Sequence, residues 1–122
     1  MQYGKKIRIE VPLVSFDVIL TLDNKTWEKW KISKSIEKDC LAGITLEFEG
    51  RLIIIYLNID YLKKNNYNIM GSLVHEISHA VTFILTALNS TCDELRARLN
   101  EYLYEQLSIY INKKGKYANK KR

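Results

Sequence analysis

The 122-residue sequence predicts an α+β domain in which a small β-sheet is followed by helices gathered on one side of it. Three observations point that way. Short alternating or apolar runs occupy residues 7–57. Two long stretches with apolar residues every three or four positions fill 69–112. A single proline, Pro12, argues against long irregular linkers. With 47% hydrophobic and 27% charged residues, the chain has apolar material for one core and the length of one domain.

Taken in order, Ile7-Arg8-Ile9-Glu10-Val11 alternates apolar and polar residues, as a half-buried strand does. Ser15-Phe16-Asp17-Val18-Ile19-Leu20 has no clean period and suits a strand or the start of a helix. Residues 25–38, with Trp27, Trp30, Ile32 and Ile36, read as a short helix. Beyond Gly43, Ile44, Leu46 and Phe48 face one way and Thr45, Glu47 and Glu49 the other. Glu49-Gly50 then supplies a turn into Leu52-Ile53-Ile54-Ile55-Tyr56-Leu57, which completes a hairpin signature. That second strand reads first as buried; at a sheet edge it could instead take up an extended peptide by β-addition.

Asn58 to Asn68 is polar, with one helical turn around Tyr61-Leu62. From about Ile69 to Leu88 a helix carries Leu73, Val74, Ile77, Val81, Ile84, Leu85 and Leu88, until Asn89-Ser90 breaks it. A second helix, about Cys92 to Asn112, carries Leu95, Leu99, Tyr102, Leu103, Leu107 and Tyr110. So short a connection predicts that the two pack antiparallel.

The net charge of +5 is unevenly placed: residues 113–122 hold six basic groups and no acid, which leaves the first 112 residues near −1. The expected organisation is one domain, 1–112, with a basic tail, 113–122, that reads as a solvated terminus. No basic stripe marks the body, so a nucleic-acid partner is not expected. No apolar stretch reaches 18 residues and the N-terminal segment lacks the apolar run of a secretory signal, so neither a membrane span nor export is expected. Cys40 and Cys92 form no C-x-x-C pair and read as reduced thiols, with the cytoplasm as the expected compartment.

The chemistry lies in the first long helix: Val74-His75-Glu76-Ile77-Ser78-His79-Ala80-Val81. His75 and His79 are one turn apart and project from one face, so two ring nitrogens can reach one metal ion. Glu76 can lie beside that ion without ligating it, take a proton from a bound water and pass it to a leaving amine. These are the chain's only two histidines, and shuffling would place them four apart with a Glu after the first in roughly 0.1% of arrangements. The competing reading is a pair of core histidines; apolar neighbours Val74, Ile77 and Val81 favour ligation over it, because two buried imidazoles would need other polar partners.

A catalytic zinc has three protein ligands and one open position, so with no further histidine the third must be a carboxylate or a cysteine. Glu94, fifteen positions after His79 in the first turn of the next helix, is the first candidate; Asp93 and then Cys92 follow. Helix capping competes for these acids, with Thr91 and Glu94, or Ser90 and Asp93, as the cap pair. Arg98 is spaced to pair with Glu94 or Glu101. Arg98 and Tyr102 are candidate contacts to a substrate carbonyl.

His75-Glu76-x-x-His79 followed by Asp93-Glu94-x-x-Ala97 resembles the zincin-type metallopeptidases with a glutamate third ligand, and more narrowly the small ones encoded by phages and prophages. The resemblance covers roughly residues 42–107 and does not extend to 1–41. It implies a zincin-like fold, Zn²⁺ held by His75, His79 and Glu94, Glu76 as general base, and hydrolysis of a protein or peptide substrate in the host cytoplasm. Arg98 stands where such proteins often carry an aromatic, and Thr82 and Leu85 occupy the Gly and His positions that metzincins require. The alternatives are a zincin-like domain that keeps its metal but acts by binding a partner, and a nucleic-acid accessory protein using its tail.

Overall fold

The computed structural model describes residues 6–11, 14–22 and 42–120. They form four strands, β1 (Lys6–Val11), β2 (Phe16–Thr21), β3 (Gly43–Phe48) and β4 (Leu52–Leu57), and three helices, α1 (Ile59–Lys64), α2 (Ile69–Ala87) and α3 (Asp93–Lys120). The expected helix over 25–38 and Cys40 lie outside the described residues. The class is α+β.

The strands make one mixed sheet in the order β1-β2-β4-β3. β1 runs antiparallel to β2, β2 parallel to β4, and β3 antiparallel to β4. β2 and β4 are central and almost wholly buried, which removes the alternation that would have marked Ser15–Leu20 as a strand. β4 has a neighbour on each side, so it offers no edge to a peptide; among the described residues, β3 is paired on one side only.

Phe48 pairs with Leu52 across the hairpin, leaving Glu49, Gly50 and Arg51 as its turn. Gly50 and Arg51 both sit at positive φ, +80° and +59°, a conformation easy for glycine and uncommon for arginine. Arg51 is held there from outside the turn: its Nη1 donates to the Val14 carbonyl at 2.8 Å and its guanidinium lies 5.4 Å from the Phe16 ring centroid. Arg8 and Asp17 form an ion pair across β1 and β2.

Asparagines start two of the helices. The Asn58 side chain accepts from Tyr61 N at 3.1 Å to open α1, and that of Asn68 accepts from Gly71 N at 2.7 Å to open α2. α2 packs beneath β3 and β4, and α3 packs on α2 and reaches β1. Arg96 Nη1 donates back to Thr82 Oγ1 at 3.4 Å, as an antiparallel return requires. Val18, Leu20, Ile53, Ile55 and Leu57 meet Leu73, Ile77, Val81, Ile84, Leu99, Leu103 and Leu107 in one core. By length and composition α2 could cross a membrane, but Leu73, Ile77, Ala80, Val81, Ile84 and Leu85 are buried inside this fold.

α3 continues to Lys120 instead of ending near Asn112. Among the described side chains of α3 the last buried one is Ile111, and the apolar spacing that marks the helix in the sequence ends there. No proline follows to break the helix, and lysine is a good helix former.

Candidate functional site

α2 divides into two faces. Ile77, Ala80, Val81 and Ile84 are buried, whereas Val74, His75, Ser78, His79 and Thr82 look outwards. Val74 is 51% exposed, so the histidines stand on an open helix face and not in the apolar surroundings that Val74 suggested. One turn of helix brings their rings to the same spot. The Nε2 atoms lie 3.2 Å apart, with ring centroids 4.8 Å apart and ring planes at 87°.

Two facing ring nitrogens at that distance either share one proton, one donating and the other accepting, or both turn lone pairs to a cation. In a tetrahedral zinc site, ligand nitrogens at about 2.0–2.1 Å from the ion lie about 3.3–3.4 Å from each other. The observed separation is within about 0.2 Å of that without rearrangement. The separation matches a shared zinc ion and a ring-to-ring hydrogen bond alike.

Glu76 leaves the helix on a different bearing and is buried. The Thr45 hydroxyl on β3 donates to its Oε1 at 2.6 Å and also lies 3.0 Å from its main-chain carbonyl. Thr45 pairs with Ile55, and Gly43 with Leu57, so both share the sheet face turned to α2. At this edge of the sheet the polar side of the alternating strand is the side that meets the helix. A Cβ on Gly43 would come within 2.9 Å of Leu57 Cδ2 and of the Tyr56 carbonyl, and 3.5 Å from Glu76 Cγ.

A recess of about 470 Å³ opens beside His75 and Glu76, lined also by Ala42, Gly43, Tyr67, Asn68, Gly71 and Ser72. A larger depression, about 800 Å³, lies at the hairpin turn and contains none of the candidate site residues. The smaller one is the relevant cavity, because it adjoins the chemistry.

The residues expected from α3 stand elsewhere. Glu94 is exposed and its Oε2 accepts from Arg98 Nε at 3.1 Å; Arg98 Nη1 reaches Glu101 at 3.5 Å. Arg98 thus makes both helical pairs that its spacing allows. The Tyr102 hydroxyl donates to the Glu10 carbonyl at 3.4 Å, which ties α3 to β1 at the far edge of the sheet. Cys92 is an exposed free thiol at the cap of α3, with its N donating to Ser90 Oγ at 3.2 Å and its carbonyl accepting from Arg96 N at 3.1 Å. The helix therefore starts one residue later than a Thr91 cap would give. Among the described residues, no three His, Cys, Asp or Glu side chains gather closely enough to hold one metal ion.

Thr45 escaped sequence reasoning altogether. Its signal, a lone hydroxyl in an alternating strand, is indistinguishable from a solvent-facing threonine until the strand's neighbours are known. In comparisons with protein-family models, curated proteins and solved structures, nothing matches the chain.

Proposed function

We propose that the chain is a zincin-like, zinc-dependent peptidase acting on a protein or peptide substrate, of the phage-encoded kind its motif resembles, in the cytoplasm of the host cell. The observation that carries this reading is the 3.2 Å separation of the two Nε2 atoms. His75 and His79 would hold the ion, which when bound supplies Lewis acidity that activates water and polarises a carbonyl. Glu76, anchored on β3, would take a proton from the attacking water and deliver it to the leaving amine. An extended substrate laid along β3 by β-addition would pass beside Gly43 and Thr45, next to that carboxylate.

Glu94 is the proposed third ligand, with Asp93 as the next candidate. Taking that role exchanges an ion pair whose partners are 74% and 71% exposed, worth at most about 1 kcal/mol, for a metal bond. Arg98, released from Glu94 and still within 3.5 Å of Glu101, would then be the candidate to meet a substrate carbonyl.

A second reading, a zincin-like domain that keeps its metal and binds a partner protein, draws support from the openness of the helix face around Val74, His75 and His79. Replacing Glu76 with Gln separates the two. Zinc uptake stays and cleavage vanishes in a peptidase, and partner binding survives in a binding domain. New protein N-termini in cells making wild type, absent from cells making Glu76→Gln, would identify the substrate. A wild-type protein that carries no zinc and takes up none on titration would defeat both readings.

A further inference from the structure

We infer that Thr45 is a positioning residue that holds Glu76 as a base and keeps it from becoming a metal ligand. This deepens the zinc reading of the histidine pair and rests on it. Glu76 follows His75 directly, and a carboxylate is itself a good zinc ligand. If it closed the coordination shell, the position that water needs would be lost. Yet the three side chains do not cluster. Glu76 leaves the helix on its own bearing, and its carboxylate is held there: its Oε1 accepts the Thr45 hydroxyl at 2.6 Å, from a strand 31 residues earlier in the chain.

The arrangement is built from both sides. Thr45 and Gly43, two residues apart on β3, present the same face to α2. Gly43 leaves space where a side chain would crowd Leu57 and the Tyr56 carbonyl of β4, while touching the Glu76 stem only at ordinary contact distance. Thr45 is itself buried, so its hydroxyl is shielded from competing water. One carboxylate oxygen is thereby committed to the strand and the other is left for the proton in flight. A hydroxyl has a single proton, and the shorter contact, 2.6 Å against 3.0 Å to the main-chain carbonyl, assigns it to the carboxylate.

Two near-isosteric variants of the full chain test this. Thr45→Val keeps the volume and removes the hydroxyl; Thr45→Ser keeps the hydroxyl and removes a methyl. Each is loaded with Co²⁺, whose visible absorption reports coordination number, and with Zn²⁺ for hydrolysis of casein. The expected result is that Thr45→Val changes the cobalt spectrum towards higher coordination and lowers kcat about 10–100-fold with KM within about twofold. Thr45→Ser should keep the wild-type spectrum, and Thr45→Val combined with Glu76→Gln should return to it. If Thr45→Val gives the wild-type cobalt spectrum, or Thr45→Ser is the more damaged of the two, the hydroxyl has only a packing role and the inference is overturned. If wild type takes up neither metal, the zinc reading itself fails and this inference falls with it.

Discussion

His75 Nε2 and His79 Nε2 face each other at 3.2 Å on the solvent side of α2, with their rings nearly perpendicular. Neither ring is buried, so packing alone does not hold them in this relation. A shared proton or a shared cation would lock it.

Purified protein is expected to carry about one zinc per chain by elemental analysis, and His79→Ala to carry none. An ion that binds only the folded state adds about 2.7 kcal/mol at a hundredfold excess over its Kd. A chelator should therefore lower the melting temperature of wild type by about 10 °C and leave His79→Ala unmoved.

Glu94→Ala is expected to weaken zinc binding by more than the 10–100-fold typical of outer-sphere changes. In the metal-free protein it should barely alter thermal stability, since the pair with Arg98 is exposed and such pairs contribute little. Asp93→Asn should change neither. Competition with a chromophoric chelator measures the affinities, and the reverse ranking would move the ligand assignment to Asp93.

Gly43→Ala and Gly71→Ala should have opposite signs. At Gly43 the new methyl meets the Tyr56 carbonyl at 2.9 Å, a backbone atom inside the sheet, and the strand must shift at a cost of about 1–3 kcal/mol. At Gly71, in the first turn of α2, the nearest neighbour is Asn68 Oδ1 at 3.4 Å, and alanine should stabilise the helix by about 0.5–1 kcal/mol. Urea denaturation of the two variants decides this.

Leu103→Ala removes a side chain fully buried between α3, α2 and the sheet, with an expected loss of about 2–5 kcal/mol. Zinc per folded molecule should not change, because Leu103 takes no part in the site. A loss of metal in the folded fraction would mean that the α3 core and the histidine face are coupled.

Much of this architecture is legible from residue order. The hairpin follows from alternation over Ile44–Phe48 and the Glu49-Gly50 turn; α2 and α3 follow from their apolar spacing; the histidine pair follows from a four-residue interval on a helix. What is hidden depends on partners distant in sequence. β2 lacks alternation because Phe16, Val18, Ile19 and Leu20 are all buried, and its parallel pairing with β4 leaves no local mark. Val74 looks like core from its type and is exposed because it shares the outward face with His75. Thr45 looks solvent-facing and is buried because α2 brings Glu76 to it.

The sheet order has a kinetic consequence. β3 and β4 are joined by a three-residue turn, Glu49 to Arg51, so that hairpin can associate early. β2 joins β4 in parallel only after the roughly thirty intervening residues have been brought round, an entropic cost that local pairings avoid. Substitutions at the β2–β4 seam, such as Ile19→Val, should then act mainly on the unfolding rate, while those in the hairpin slow refolding.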